Sequence, residues 1–208
     1  MLRRGPMVRW SQVQAAWRAF GPVGLGLHAL RRALPGDVHV LGVWSCRCRP
    51  ALPPEPPAGL RIAGTTLEEL GPRRAVFVRD KPGVLGQGPP TRWLAAWQDG
   101  RLCGLTAWTP LSASDALSHD TWVAAGGRLR GIGRALLLAA AADALREGSH
   151  EILWGEVVAW NRASTALLQS LDWQRRGWNL RVAGARRLSW PARTDWPAAL
   201  RSEGWKRP

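Results

Sequence analysis

The chain has 208 residues, 46% apolar and 21% charged, the ordinary balance of a globular protein with room for one core and an appendage. Its net charge of +14 is not ordinary, and it is almost entirely arginine, because Lys81 and Lys206 are the only lysines. Cys46, Cys48 and Cys103 are too few for a disulfide scaffold and lack the second pair of a zinc site, and no apolar run approaches the ~20 residues that cross a bilayer; a soluble protein of a reducing cytoplasm, without a metal, is expected.

The composition also holds 14 Trp, 2 Phe and no Tyr. A nucleotide-composition bias accounts for such an excess of arginine and tryptophan as well as a functional field does. The functional reading is a surface that draws in anionic ligands or nucleic acid.

Residues 1–36 contain six arginines and no acid. Arg3 and Arg4 could begin a signal peptide, but Gly21, Pro22, Gly24 and Gly26 break the apolar stretch that would have to follow. Val13, Ala16, Trp17 and Phe20 recur at helical spacing, as do Leu27, Leu30 and Leu34. A largely helical extension is expected, packed on the main domain or on a second subunit in preference to a membrane surface or nucleic acid. Asp37 to Cys46 is apolar enough for a strand. Pro50, Pro53, Pro54, Pro56 and Pro57 then make a stiff, extended linker. The expected division is 1–49 for the extension, 50–58 for the linker, 59–192 for the main domain and 193–208 for a tail.

In the main domain Leu60 to Ala63 reads as a strand, and Thr66-Leu67-Glu68-Glu69 as a capping box that opens a short helix. Residues 71–90, with Pro82, Pro89 and four glycines, show no clear period. Trp93 to Gln98 and Leu102 to Trp108 flank Asp99-Gly100, a pair suited to a two-residue hairpin turn with positive φ at both positions. Leu117 to Ala124 partly alternates and reads as the next strand.

Then comes Arg128-Leu129-Arg130-Gly131-Ile132-Gly133, which leads at once into an Ala/Leu-rich helix from Arg134 to Glu147, with Gly148 as its stop. A glycine turn that opens a helix leaves backbone N–H groups converging at the positive end of the helix dipole, which is a phosphate cradle. A side chain at Gly131 or Gly133 would keep a diphosphate off the backbone. No Gly-Lys-Ser/Thr follows, and Ala135 and Leu136 stand where a dinucleotide fingerprint continues, so those two phosphate motifs drop out. A glycine loop before an ordinary core helix would look the same, and the turn alone does not decide. Ile152 to Val158 reads as a buried strand, Asn161 starts another short helix, and Trp178 to Val182 with Arg187 to Trp190 reads as a terminal hairpin.

Two blocks of this sequence resemble the GNAT superfamily of N-acetyltransferases. In the first, Val123 stands five residues before Arg128, and Arg128 to Gly133 is similar to that family's acetyl-CoA signature, Arg/Gln-x-x-Gly-x-Gly/Ala. In the second, Val157, Asn161, Ser164 and Leu167 keep the family's order, with Leu168 where Tyr is usual and Asp172-Trp173 where Gly-Phe is usual. The resemblance implies an α/β (α+β) fold with a mixed, mostly antiparallel central sheet of about six or seven strands flanked by helices. It also implies acetyl-CoA as cosubstrate. Two neighbouring parallel strands would part and admit its pantetheine arm; the backbone at Trp122 and Val123 would bind that arm and polarise the acetyl carbonyl. Arg128 would open the cradle, and the amides of Leu129, Arg130, Gly131, Ile132, Gly133 and Arg134 would hold the diphosphate. Asn161, with Ser164 beside it, would reach the arm from the other strand, although capping the short helix is its simplest role. Arg130, Arg134 and Arg162 would meet the coenzyme's phosphates.

Moving an acetyl group from a thioester to an amine requires a positioned donor, a neutral nucleophile and stabilised charge. His119 is the expected base: alternation puts it on the face of Thr121 and Val123, and an unperturbed pKa of about 6.5 suits the task. Asp120 and Glu156 are the rivals, and each of the three would also serve as a satisfied polar residue at a strand end. Leu168 offers no general acid. Cys103 falls in a hairpin strand and reads as core, which favours direct attack in a ternary complex over a covalent acyl-enzyme. The alternatives are a catalytically degenerate relative that binds coenzyme A or a partner, and an arginine-rich nucleic-acid-binding module. The acceptor is an amine whose class the sequence leaves open.

Overall fold

The computed structural model describes residues 38–48, 57–73, 75, 77, 92–128, 130–159, 161–182, 188–190, 196, 197 and 200. The helical stretches expected in 1–36, the linker prolines up to Pro56 and residues 78–91 lie outside these.

Among the described residues eight strands form one sheet: β1 (Val38–Arg47), β2 (Leu60–Thr65), β3 (Arg92–Gln98), β4 (Arg101–Pro110), β5 (Asp115–Val123), β6 (Ile152–Val158), β7 (Gln174–Val182) and β8 (Leu188–Trp190). Their order is β2-β3-β4-β5-β6-β1-β7-β8, and every neighbouring pair is antiparallel except β5 with β6. Helices α1 (Leu67–Leu70), α2 (Ile132–Gly148) and α3 (Arg162–Gln169) accompany the sheet. The mixed, mostly antiparallel sheet expected from the sequence is what forms, with one strand more than expected.

The extra strand is β1. It lies between β6 and β7 and pairs with both, Leu41 to Arg47 against Val158 to Ile152 on one side and Val38 to Ser45 against Val182 to Gln174 on the other. The boundary drawn at the prolines therefore does not divide the fold: the Pro-rich segment joins two strands of one sheet. Prolines stiffen a connection, but they do not report which strands pair across it. Nor is the tail separate, because Trp196 and Leu200 are buried against Val43, Leu117 and Trp154.

The local signals are found as expected. Thr66 caps α1, its Oγ1 accepting from the Glu69 N–H at 3.1 Å while the Glu69 carboxylate accepts from the Thr66 N–H at 2.8 Å. Asp99 and Gly100 both have positive φ, 49° and 72°, in the turn between β3 and β4. The left-handed residue that ends α2 is Ser149, at φ 53°, and not Gly148.

Helix α2 buries Ile132, Ala135, Leu136, Ala140 and Ala144, spaced to form one apolar stripe, against β3, β4 and β5. Gly104 on β4 allows the close approach, since a Cβ there would sit 2.8 Å from Leu136 Cδ1 and 3.1 Å from Ile132 Cγ2. Farther along, buried Asp143 accepts from Trp108 Nε1 of β4 at 2.9 Å and from Arg92 Nε of β3 at 3.3 Å, which fixes the helix's rotation over the sheet. No helix of the described residues is long and apolar enough to cross a membrane.

Removing β1 tests its place in the sheet. Leu41, Val43 and Trp44 are 7%, 0% and 4% exposed, and each such side chain contributes about 1.5–3 kcal/mol against a net stability of about 5–15 kcal/mol. A chain beginning at Arg49 is expected to lose cooperative unfolding in urea, whereas one beginning at Asp37 keeps it; cooperative folding of the shorter chain would contradict the topology.

Candidate active site

The parallel pairing of β5 with β6 runs only from Asp115↔Ile152 to Ser118↔Gly155. Beyond that pair β5 continues to Val123 and β6 to Val158 without pairing to each other, so a wedge opens between them toward their C-terminal ends. A gap between parallel strands at their carboxyl ends is where sheets of this kind receive ligands.

The cause lies on the other side of β5. His119 faces Ala107 and Trp122 faces Leu105, so Asp120 and Thr121 together stand opposite the single residue Thr106. This is a β-bulge, and Asp120 adopts φ 55° within it. A bulge bends its strand and re-aims the side chains around it. Aspartate is among the few residues with a side chain that enter the left-handed region readily.

The bulge also overturns one expectation. His119 does not share a face with Thr121 and Val123, because the extra residue inverts the alternation. Thr121 Oγ1 meets Thr106 Oγ1 at 2.8 Å, and Val123 packs with Ile132 on the α2 side. His119 lies on the opposite face with Trp122: its ring is edge-on to Trp93 at 6.3 Å, and Phe77 meets Trp93 and Trp122 at 5.9 and 5.8 Å.

His119 is held at both nitrogens. Nδ1 is 2.8 Å from Asp120 Oδ2, and Nε2 is 2.9 Å from Thr109 Oγ1. A carboxylate can only accept, so the bond to Asp120 puts a proton on Nδ1, and in the neutral ring Nε2, facing the Thr109 hydroxyl, is the basic nitrogen. Glu156, one register step past Ser118↔Gly155 on the other strand, accepts from Asn179 Nδ2 at 2.7 Å through Oε1. The three expected acid–base residues thus border the same opening. Thr109 and Asn179 were not legible beforehand, since each reaches its partner from another strand.

At the wide end of the wedge stands the N-terminus of α2. Gly131 is its N-cap, at φ 77° and ψ −4°, with no side chain capping the helix and no acid in its first turn. Helix geometry leaves the amides of Ile132, Gly133 and Arg134 without an intrahelical acceptor. Ile132 contributes only its amide, for its side chain is buried; Gly133 lies against α3 and β5, where a Cβ would come within 3.2 Å of Leu167 Cδ2 and 3.6 Å of Val123 Cγ2. Arg128, Arg130, Arg134 and Arg162 are exposed. The Arg128 amide donates instead to Ala125 O at 3.4 Å, and Arg134 Nη1 donates to Ser170 O at 3.2 Å, tying α2 to α3. Leu129 lies outside the described residues. Asn161 caps α3, its Oδ1 accepting from the Ser164 N–H at 3.1 Å.

On the helix side of the wedge, Leu168 is 4% exposed and packs with Trp108, Ala116, Leu153 and Trp173. Ser118, at the wedge's closed end, is 6% exposed, and its Oγ has no hydrogen-bond partner. An orphaned hydroxyl costs about 1–3 kcal/mol, so its presence calls for a reason. Burial pushes the Cys48 thiol up to about 11 and raises that of Cys103, whose Sγ donates to Ala96 O at 3.2 Å. Both stay protonated near neutrality and are poor nucleophiles.

Comparison with known proteins agrees with this geometry. The sequence model of the acetyltransferase (GNAT) family matches residues 61–173. No curated protein matches the chain. Among solved structures, a GCN5-related N-acetyltransferase from Kribbella flavida is similar with a TM-score of 0.55 and 18% identity, over 82% of this chain and 65% of that one. A GCN5-related N-acetyltransferase from Sphaerobacter thermophilus has a TM-score of 0.55 and 17% identity, over 82% of this chain and 57% of that one. The likeness is one of fold, and the chain spans less than two thirds of either protein's length.

The bulge conformation is open to a direct test. Asp120→Val puts a β-branched side chain at positive φ and is expected to lower stability in urea by about 1–3 kcal/mol more than Asp120→Gly, which loses the same carboxylate at no conformational cost. Equal losses would mean that residue 120 is not held in the left-handed region.

Proposed function

The chain belongs to the acetyltransferase (GNAT) family, and from that premise we propose that it is an N-acetyltransferase that takes the acetyl group of acetyl-CoA and moves it to an amine by direct attack in a ternary complex. The observation that carries this reading is the wedge between β5 and β6, with an uncapped helix N-terminus at its mouth and a histidine on its rim.

The residues fit the coenzyme. A diphosphate needs converging N–H donors, no competing carboxylate and room for its oxygens; α2 offers free first-turn amides, no acid in that turn, and Gly131 at a positive φ. In this reading the amides of Ile132, Gly133 and Arg134 hold the diphosphate, and Arg130, Arg134 and Arg162 supply charge-assisted donors around it. Trp122 and Val123 lie where β5 has parted from β6 while it stays paired to β4, and in this reading their backbone meets the arm on the β6 side. Asn161 keeps its capping bond through Oδ1 and has its amide NH₂ left for the arm.

Acetyl-CoA supplies the acetyl group as a thioester. In this reading His119 takes the amine's proton, while Asp120 holds the ring and stabilises the imidazolium. Glu156, held by Asn179, stands on β6 just beyond the parting and in this reading borders the acceptor amine. Neither Cys48 nor Cys103 suits a covalent route. A second reading is a degenerate relative that binds the coenzyme without catalysis, which Leu168 in the core favours, since no tyrosine can protonate the leaving sulfur.

Two measurements decide between these. Calorimetric titration with coenzyme A is expected to give saturable binding that Gly133→Asp abolishes; binding that survives this change would remove the cradle. Amine-dependent release of free thiol is expected from the wild type and to fall by roughly 10²- to 10⁴-fold in His119→Ala. Unchanged turnover would dismiss His119 as the base, and no thiol release with any amine would favour the degenerate reading.

A further inference from the structure

Ser118 is the last residue of β5 still paired to β6, and it stands where the wedge closes. Its cross-strand partner Trp108, and Ala116 two residues before it, belong to the cluster that contains Leu168 and Trp173, so the Ser118 side chain lies on the α2 and α3 side of the sheet. Across the parting, Gly155 contributes no side chain, and a Cβ there would lie 3.0 Å from Trp173 Cζ3. The Ser118 hydroxyl is therefore enclosed by apolar groups, with Oγ unpartnered. Buried polar groups in native proteins are almost always paired, and one left over at the end of a ligand channel points to an atom of the ligand.

Direction and reach agree. The wedge is widest at the α2 N-terminus and narrowest at Ser118, so a molecule held by its diphosphate at residues 131–134 turns its other end toward Ser118. Because of the bulge, Ser118 to Val123 spans only the four residue steps of β4 from Trp108 to Gly104, about 13 Å, a distance within an extended pantetheine arm. On the coenzyme reading above, we propose that Ser118 Oγ donates a hydrogen bond to the sulfur of coenzyme A, and so supplies from β5 the polar contact that Leu168 cannot make from α3. During transfer the N–C bond forms as the C–S bond breaks, the electron pair stays on sulfur and the amine's proton goes to His119. Ser118 keeps its own proton, because a serine hydroxyl is far less acidic than a thiol, and acts by stabilising charge on the sulfur.

The test compares coenzyme A with desulfo-coenzyme A, in which hydrogen replaces the thiol, by calorimetry on the full chain at an alkaline pH where the thiol ionises. The wild type is expected to bind coenzyme A more tightly than the desulfo analogue. Ser118→Ala is expected to weaken coenzyme A roughly tenfold and to leave the desulfo analogue unchanged. The free variant is expected to melt at or above the wild-type Tm, since it has lost an unpartnered hydroxyl. A structural role predicts the reverse, so a lower Tm, or equal weakening of both ligands, would overturn the proposal. A wild type that binds both equally would remove the sulfur contact and leave the coenzyme reading intact, whereas one that binds neither would remove both.

Discussion

The hydrogen-bond ladder between the two parallel strands stops after Ser118↔Gly155, and the candidate site is built around that stop. Parallel strands that stayed paired to their ends would leave no entrance. The bulge at Asp120 and Thr121 bends β5 away while β4 holds it on the other side, so the strand leaves one neighbour without losing both. Helix α2 is the second part of the device. It is held over β4 by the close contact at Gly104 and by the bond from Trp108 to Asp143, and its uncapped N-terminus lies next to Val123, where the wedge is open.

The inverted alternation sorts the site's residues into two groups. Ser118, Thr121, Val123 and Leu168 lie on the helix side, Val123 beside the first turn of α2 and Ser118 at the closed end. His119, Trp122 and Glu156 lie on the other, with Trp93 beside the histidine and Phe77 against Trp93 and Trp122. In the proposed chemistry this separation keeps donor and acceptor on opposite sides of one opening, the arrangement that direct attack requires. A single residue in a left-handed conformation therefore has two consequences, the entrance itself and the placing of the acid–base group.

What could be read from the sequence was what depends on near neighbours. The Asp99-Gly100 turn, the Thr66 to Glu69 capping box, the strand over Ile152 to Val158 and the capping of α3 by Asn161 each follow from a few adjacent residues, and each forms as expected. The glycine turn before α2 was legible for the same reason. The face of His119 was not: a bulge leaves no mark on an alternation pattern, and Asp120 as a bulge residue looks like any polar strand residue. The place of β1 was missed because pairing across the sheet is non-local, and five prolines in a row of eight residues suggested a boundary. Thr109, Asn179 and Ser118 matter only through partners, or the want of one, brought together by folding.

Hydrogen–deuterium exchange with and without coenzyme A addresses the parting of β5 and β6 most directly. Within His119 to Val123, which has parted from β6 but stays paired to β4, the amides on the β6 side are expected to exchange readily in the free protein, as are those of the first turn of α2, and both to become protected together on adding the coenzyme, with β2 and β3 unchanged. Strong protection of those β6-side amides in the free protein, or protection elsewhere with none at these two places, would contradict the account.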